Sequence, residues 1–183
     1  ACFGFNLLNH YVGIDENSVI LTDKVAAGWI GQGRFGLYFL DVLLSQSGRY
    51  APFLWDFLSI LIWAFAGVIF YVTLFSLREE QNNNNNFDFC MFVFAGYFIS
   101  VPCVVGEILS FSMMNLHVSI GMALTAVSVY YAKIVLFENK FLYIVAAIFC
   151  LSGAFSIYQE FIGVYFTGIV AILLNYVFLI FFF

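Results

Sequence analysis

The chain has 183 residues, 64% of them hydrophobic and only 9% charged, with a formal net charge of −5 and a mean hydropathy of +1.00. Such a composition excludes an ordinary soluble domain and describes a polytopic membrane protein. The negative charge is spread over loops and no basic patch occurs, which excludes nucleic acid as a partner.

The sequence begins at Ala1 inside one apolar run and ends at Phe183 inside another, as expected of a piece of a longer protein. Residues 1–8 read as the end of a first membrane span. An outer loop over 9–52 follows, and it holds seven of the seventeen charged residues. Within it, residues 25–46 predict an amphipathic helix lying in the membrane interface. Trp29, Gly33, Gly36, Leu37, Leu40, Leu43 and Leu44 recur at helical spacing, while Arg34, Tyr38, Asp41 and Ser45 form a second, polar face.

The next spans are expected at about 53–77, 88–105, 116–137, 141–157 and 161–183. Between the first two lies a tract with five consecutive Asn residues, which has no means of building a core and reads as a solvated connection. Pro102 should kink or end the second of them. A polar turn, Glu138–Lys140, separates the third from the fourth, and Tyr158, Gln159 and Glu160 interrupt the oil before the last. The fold class that follows is all-α: a polytopic helical membrane protein with an interfacial amphipathic helix.

The alternation of spans places the loops on opposite sides. One side carries the outer loop, Glu107 with His117, and Tyr158–Glu160; the other carries Arg78 with the Asn tract, Lys133 and Lys140. Lys and Arg are equal in number on the two sides but denser in the short loops of the second, which the positive-inside rule assigns to the cytoplasm. The loop containing Asp15 and Glu16 then faces outward.

Several residues on that side could carry chemistry. Asp15 and Glu16 are adjacent just after a membrane span, where a carboxylate can meet a water-borne substrate while a second substrate stays in lipid; a plain solvated acidic loop fits the same residues. Glu107 and Glu160 have apolar sequence on both sides and suit either a cavity wall or a hydrated helix end. Arg34 lies between Gly33 and Gly36, which would let a headgroup approach the backbone, and its guanidinium matches a phosphate; snorkelling to lipid headgroups is the alternative. His10 fits a base, a metal ligand or an interface residue. Cys2, Cys90, Cys103 and Cys150 lack metal-like spacing and read as packing residues. No nucleotide-binding loop, HExxH or GxSxG motif occurs. The converging acids could hold a divalent metal, although no metal ligands are assigned.

The runs NHYVGIDENSVI, GWIGQGRFGLYFL, VPCVVGEILSFSMMNLHVSIGMALTAVSVYYA and SIYQEFIGVY, in that order along the chain, resemble the bacterial membrane glucosyltransferases of the O-antigen type II kind. The resemblance implies a GT-C-like transmembrane bundle in the bacterial cytoplasmic membrane. It also implies transfer of a glucosyl unit from a polyprenyl-phosphate donor to a surface glycan acceptor on the outer face. The family's acidic signature corresponds to Asp15 and Glu16. Its Gly-Arg-aromatic signature corresponds to Gly33, Arg34 and Phe35, where Trp is more usual, and its Tyr-Gln pair to Tyr158 and Gln159.

The chemistry of displacement at an anomeric carbon suits these residues. A carboxylate must take the acceptor's proton, and a cation must stabilise the departing phosphate. Asp15 is the expected base, with Glu16 as alternate or orienting acid; Lys24 and Arg34 would bind the donor phosphate; Glu107, Tyr158, Gln159 and Glu160 would line the sugar pocket. A multi-spanning transporter or flippase is the competing reading. It calls for polar groups deep inside spans, where only Asn175 stands out.

Overall fold

The computed structural model describes residues 28–45, 52–79, 94, 115–138 and 140–182. Its elements are the single turn α1 (Gly28–Gly31), α2 (Phe35–Ser45), α3 (Pro52–Glu79), α4 (Asn115–Glu138), α5 (Leu142–Ile157) and α6 (Phe161–Phe182). Among the described residues there is no strand, and the protein is an all-helical membrane protein. Two helices, α3 and α4, are long and apolar enough to cross a membrane. At about 1.5 Å per residue both exceed the roughly 30 Å of a bilayer core. The expected span over 88–105 and the end of a first span at residues 1–8 lie outside the described residues, Phe94 apart.

The helix α4 is the centre of the bundle and packs against α2, α3, α5 and α6. Its buried face is built of small or hydroxyl side chains, among them Ser119, Gly121, Thr125, Ala126 and Ser128. Small residues let helices approach closely where water supplies no driving force between them. The α3–α4 contact is parallel, with Asp56 meeting Asn115 at 3.0 Å and Ser59 meeting Ser119 at 2.7 Å. The α4–α5 contact is antiparallel: Ser128 Oγ donates to the Ala147 carbonyl at 2.8 Å, and Tyr131 stacks on Tyr143 with centroids 5.5 Å apart. Against α6, Gly121 lies under the Phe161 ring and Gly168 under Val129, a second parallel contact.

Faces turned away from this centre are apolar. Phe57, Leu61, Phe65, Val68 and Val72 form an exposed stripe on α3, and Val145, Ile148 and Phe149 one on α5. In water such patches would drive aggregation; in lipid they need no partner. The threonine hydroxyls Thr73, Thr125 and Thr167 bond to their own backbone, as Thr125 does to the Gly121 carbonyl at 2.9 Å. The deep Asn175 is satisfied likewise, its Nδ2 donating to the Ala171 carbonyl at 2.9 Å. It is a locally satisfied polar group.

Two expectations about the interfacial segment require correction. A single helix over 25–46 is replaced, among the described residues, by α1 and α2 with a turn between them. Gly33 adopts φ 75° in that turn and donates its N–H to the Ile30 carbonyl at 3.0 Å. A positive φ suits a residue without a Cβ, and the chain changes direction there. The faces of α2 also differ from expectation. Phe35, Phe39 and Leu43 are exposed, Leu37 is buried, and Asp41 of the expected polar face turns toward His117 on α4. A carboxyl group beside an apolar environment is better accommodated opposite an imidazole inside the protein than against lipid.

The close contact at Gly121 supplies a test. A Cβ there would stand 2.3 Å from Phe161 Cε2, whereas one at Gly163 would meet nothing within 4 Å. Gly121→Ala should lower the stability of the purified protein by about 1–3 kcal/mol through overpacking. Gly163→Ala should leave it unchanged or raise it by up to about 1 kcal/mol through helix propensity. Thermal unfolding of both variants in detergent measures the difference.

Candidate functional site

The geometry of the bundle brings one end of every described helix pair together: the starts of α3, α4 and α6 and the end of α5. The α5 helix ends because Tyr158 leaves the helical region at φ −149° and ψ 119°, while its N–H still bonds the Ala154 carbonyl at 3.0 Å. The N–H groups of Phe161, Ile162 and Gly163 then take the carbonyls of Tyr158, Gln159 and Glu160, so α6 starts at once. This sharp connection holds Tyr158 between two helices. Its ring touches that of Phe161 at 6.2 Å between centroids.

The second component is the Gly33–Arg34 turn. The Arg34 guanidinium carbon stands 4.6 Å from the centroid of the Tyr158 ring. A Cβ added to Gly33 would be 3.3 Å from Gln159 Nε2, so the glycine backbone faces the amide. Two motifs more than a hundred residues apart in sequence therefore meet as one patch. A cation over an aromatic face gains about 0.5–1 kcal/mol at an exposed site and more when water is excluded. The π contact itself uses no N–H of the guanidinium.

Close approach is what makes this patch. At Gly36 a Cβ would lie 1.9 Å from Ser156 Oγ and 2.9 Å from the Ser156 carbonyl carbon, so α2 seats its backbone directly on the end of α5. Ser156 donates its hydroxyl back to the Gly153 carbonyl at 2.7 Å, which keeps it folded against its own helix. One turn or so further along α2, Asp41 Oδ1 lies 3.9 Å from His117 Nε2. His117 is buried at 4% exposure, and its neighbour Asn115, also buried, holds Asp56. Burial raises the Asp41 carboxyl above its usual range, and His117 opposes this more weakly.

Of the expected site residues, the structure brings Arg34, Tyr158 and Gln159 together and leaves Glu160 exposed in the same turn. Asp15, Glu16, Lys24 and Glu107 lie outside the described residues. Asp41 and Asn115 are the additions, together with the burial of His117, which had been grouped with loop residues. The sequence signal for Asn115 and His117 was a polar residue within apolar flanks at the beginning of the span expected over 116–137, and for Asp41 a lone acid between Leu40 and Val42 within the helix expected over 25–46. Among the described residues no group of three or more His, Cys, Asp or Glu is arranged to hold a metal.

Helices faced with apolar side chains, centred on a small-residue seam and gathering Arg34, Asp41, Asp56, His117 and Tyr158 at one end, define a helical membrane protein with a polar site at that end of its bundle. A family model described as glucosyl transferase GtrII matches residues 4–179, and the chain belongs to that family. The resemblance read from NHYVGIDENSVI and SIYQEFIGVY is thereby borne out, and the family's chemistry is glucosyl transfer. No curated protein and no solved structure matches the chain.

The Asp41 carboxyl gives a pH test. A folded-state pKa above the ordinary 3.8 means that the folded protein holds this proton more tightly than the unfolded chain does. The stability it contributes is complete below that value and is lost as pH rises through the folded pKa. Relative to Asp41→Asn, the wild type should therefore lose stability as pH is raised from below 3.8 across that window. Unfolding midpoints of the two proteins in detergent, measured in a pH series, check the sign.

Proposed function

We propose that the protein is a multi-pass enzyme of the bacterial cytoplasmic membrane that moves a glucosyl residue from a polyprenyl-phosphate donor to a hydroxyl of an O-antigen-like surface glycan, with its active site facing outward. The donor's isoprenoid chain stays in lipid, its phosphate lies at the interface, and the acceptor arrives from water. In the step itself the acceptor oxygen forms a bond to the anomeric carbon as the bond to the phosphate oxygen breaks. The hydroxyl proton goes to Asp15, with Glu16 as alternate or orienting acid, and the bonding pair leaves with the polyprenyl phosphate.

Arg34 and Lys24 receive that phosphate. A guanidinium offers a planar fork of donors that fits phosphate oxygens, and its attraction grows as the leaving group gains charge. Tyr158, Gln159, Glu160 and Glu107 line the sugar pocket through hydrogen bonds. The single observation that supports this reading is the contact of Arg34 with Tyr158, 4.6 Å from the ring centroid, beside Gly33 and Gln159. It joins the residue proposed for the phosphate to those proposed for the sugar, which a glycosyl phosphate requires of its site.

Membranes containing the full-length protein, supplied with polyprenyl-phosphate glucose and acceptor glycan, test the roles. Asp15→Asn should reduce kcat by about 10²–10⁴-fold, the usual contribution of a positioned general base; unchanged turnover removes Asp15 from that role. Arg34→Lys keeps the charge but loses the fork, and should raise KM for the donor. Single-Cys reporters in a Cys-free background test orientation. A reporter near Asp23 should be labelled from outside intact cells, and one in the Asn tract should not.

A further inference from the structure

The attachment of α2 to the bundle is uneven. Its beginning sits at the α5–α6 connection, where Arg34 lies over Tyr158 and the Gly36 backbone is seated on Ser156. The Gly36 seat is the closer contact and forms a pivot, with Arg34 on one side of it and Asp41 on the other. Asp41 lies about 7–10 Å further along the helix axis at 1.5 Å per residue, and it faces a different helix, α4, through His117 at 3.9 Å. The side of α2 that bears Phe35, Phe39 and Leu43 is exposed. An angular change of α2 about the pivot would move Arg34 relative to Tyr158, and the Asp41 contact is placed where a small force has the longest lever.

We propose that Asp41 and His117 are positioning residues for glucosyl transfer: their pairing sets the angle of α2 on the bundle and thereby holds Arg34 at the place where it meets the donor phosphate. The pair acts through Arg34 and touches no reacting atom. A partly buried carboxylate–imidazole contact contributes little net stability because desolvation offsets the attraction, and the best attested use of such pairs is to select one arrangement over others. His117 is suited to this by its place on α4. It follows Asn115, which is tied to Asp56 of α3, and precedes Ser119, which is tied to Ser59. The imidazole thus projects from the most firmly registered part of the bundle.

This inference rests on the reading of Arg34 as the phosphate's partner, and the experiment separates the two. The full-length protein in a Cys-free background carries spin labels at Phe39 on α2 and Ile148 on α5, both on exposed faces. Their distance distribution is measured alongside donor KM and kcat in reconstituted vesicles. Asp41→Asn and His117→Asn should each broaden or shift the distribution and raise donor KM by about tenfold, the weakening of one phosphate contact, with a smaller change in kcat. The exchanged pair, Asp41→His with His117→Asp, should restore both the distance and KM toward wild type. Arg34→Ala should raise KM while α2 stays in place.

An unchanged distance in both single variants overturns the proposal, whatever happens to activity. An exchanged pair no better than the single variants also overturns it, since a general packing defect is not repaired by reversing two charges. If α2 shifts while KM stays at the wild-type value, and Arg34→Ala is equally silent, the failure lies in the role given to Arg34.

Discussion

Ser59 and Ser119 meet at 2.7 Å because α3 and α4 run in parallel with nothing larger than a hydroxyl between them at that level. The rest of the described structure follows from that seam. With α3 registered on α4, Asp56 comes opposite Asn115, and these two gather with Ser59, His117 and Ser119 at one end. Gly121, one turn below His117, leaves the space that the Phe161 ring occupies. Phe161 begins α6 and sits under Tyr158, so the small face of α4 ultimately determines where the Tyr158 ring stands and where Arg34 can rest. A methyl group added at Gly121 or Gly36 would be felt at the site although neither residue bears any chemistry.

The two ends of the bundle differ in kind. At the α4–α5 turn, Lys140 and Glu138 form an exposed pair at 2.6 Å, a contact that water screens and that contributes little. At the other end, ionisable side chains are withdrawn from solvent: Asp56 and His117 are buried and Asp41 is half-buried. Such groups lose hydration, and Asp41 responds by holding its proton more tightly. Burial of this sort is a poor source of stability but a strong source of geometry, because a desolvated charge tolerates few arrangements of its neighbours. The proposed mechanism, in which a guanidinium stays in register with a phosphate, has use for geometry of that kind.

The positions of α3, α4, α5 and α6 were legible because apolar runs long enough to span lipid are separated by unmistakable polar breaks, such as Glu138–Lys140 and Tyr158–Glu160. The interruption at Gly33 was not. GWIGQGRFGLYFL has helical spacing throughout, and periodicity carries no information on whether a glycine will use a positive φ. The site was legible in part: Arg34 and the Tyr158–Gln159 pair stood out as polar groups within apolar sequence. Asp41 was assigned to a lipid-interface face since a helical wheel shows which residues share a side and is silent on what that side meets.

The amino-acid sequence by itself determined that this is a helical membrane protein of the glucosyl transferase GtrII family, because hydropathy is a local property and family motifs are read residue by residue. It also determined which small residues were available for close helix contacts. Only the tertiary structure decided that Gly33–Arg34 would meet Tyr158–Gln159, that α2 would turn Asp41 toward His117, and that Ser59 would find Ser119. Each of those contacts joins segments whose separation in sequence far exceeds any helical or turn period. Their partners were selected by the packing of α4's narrow face, which no local pattern encodes.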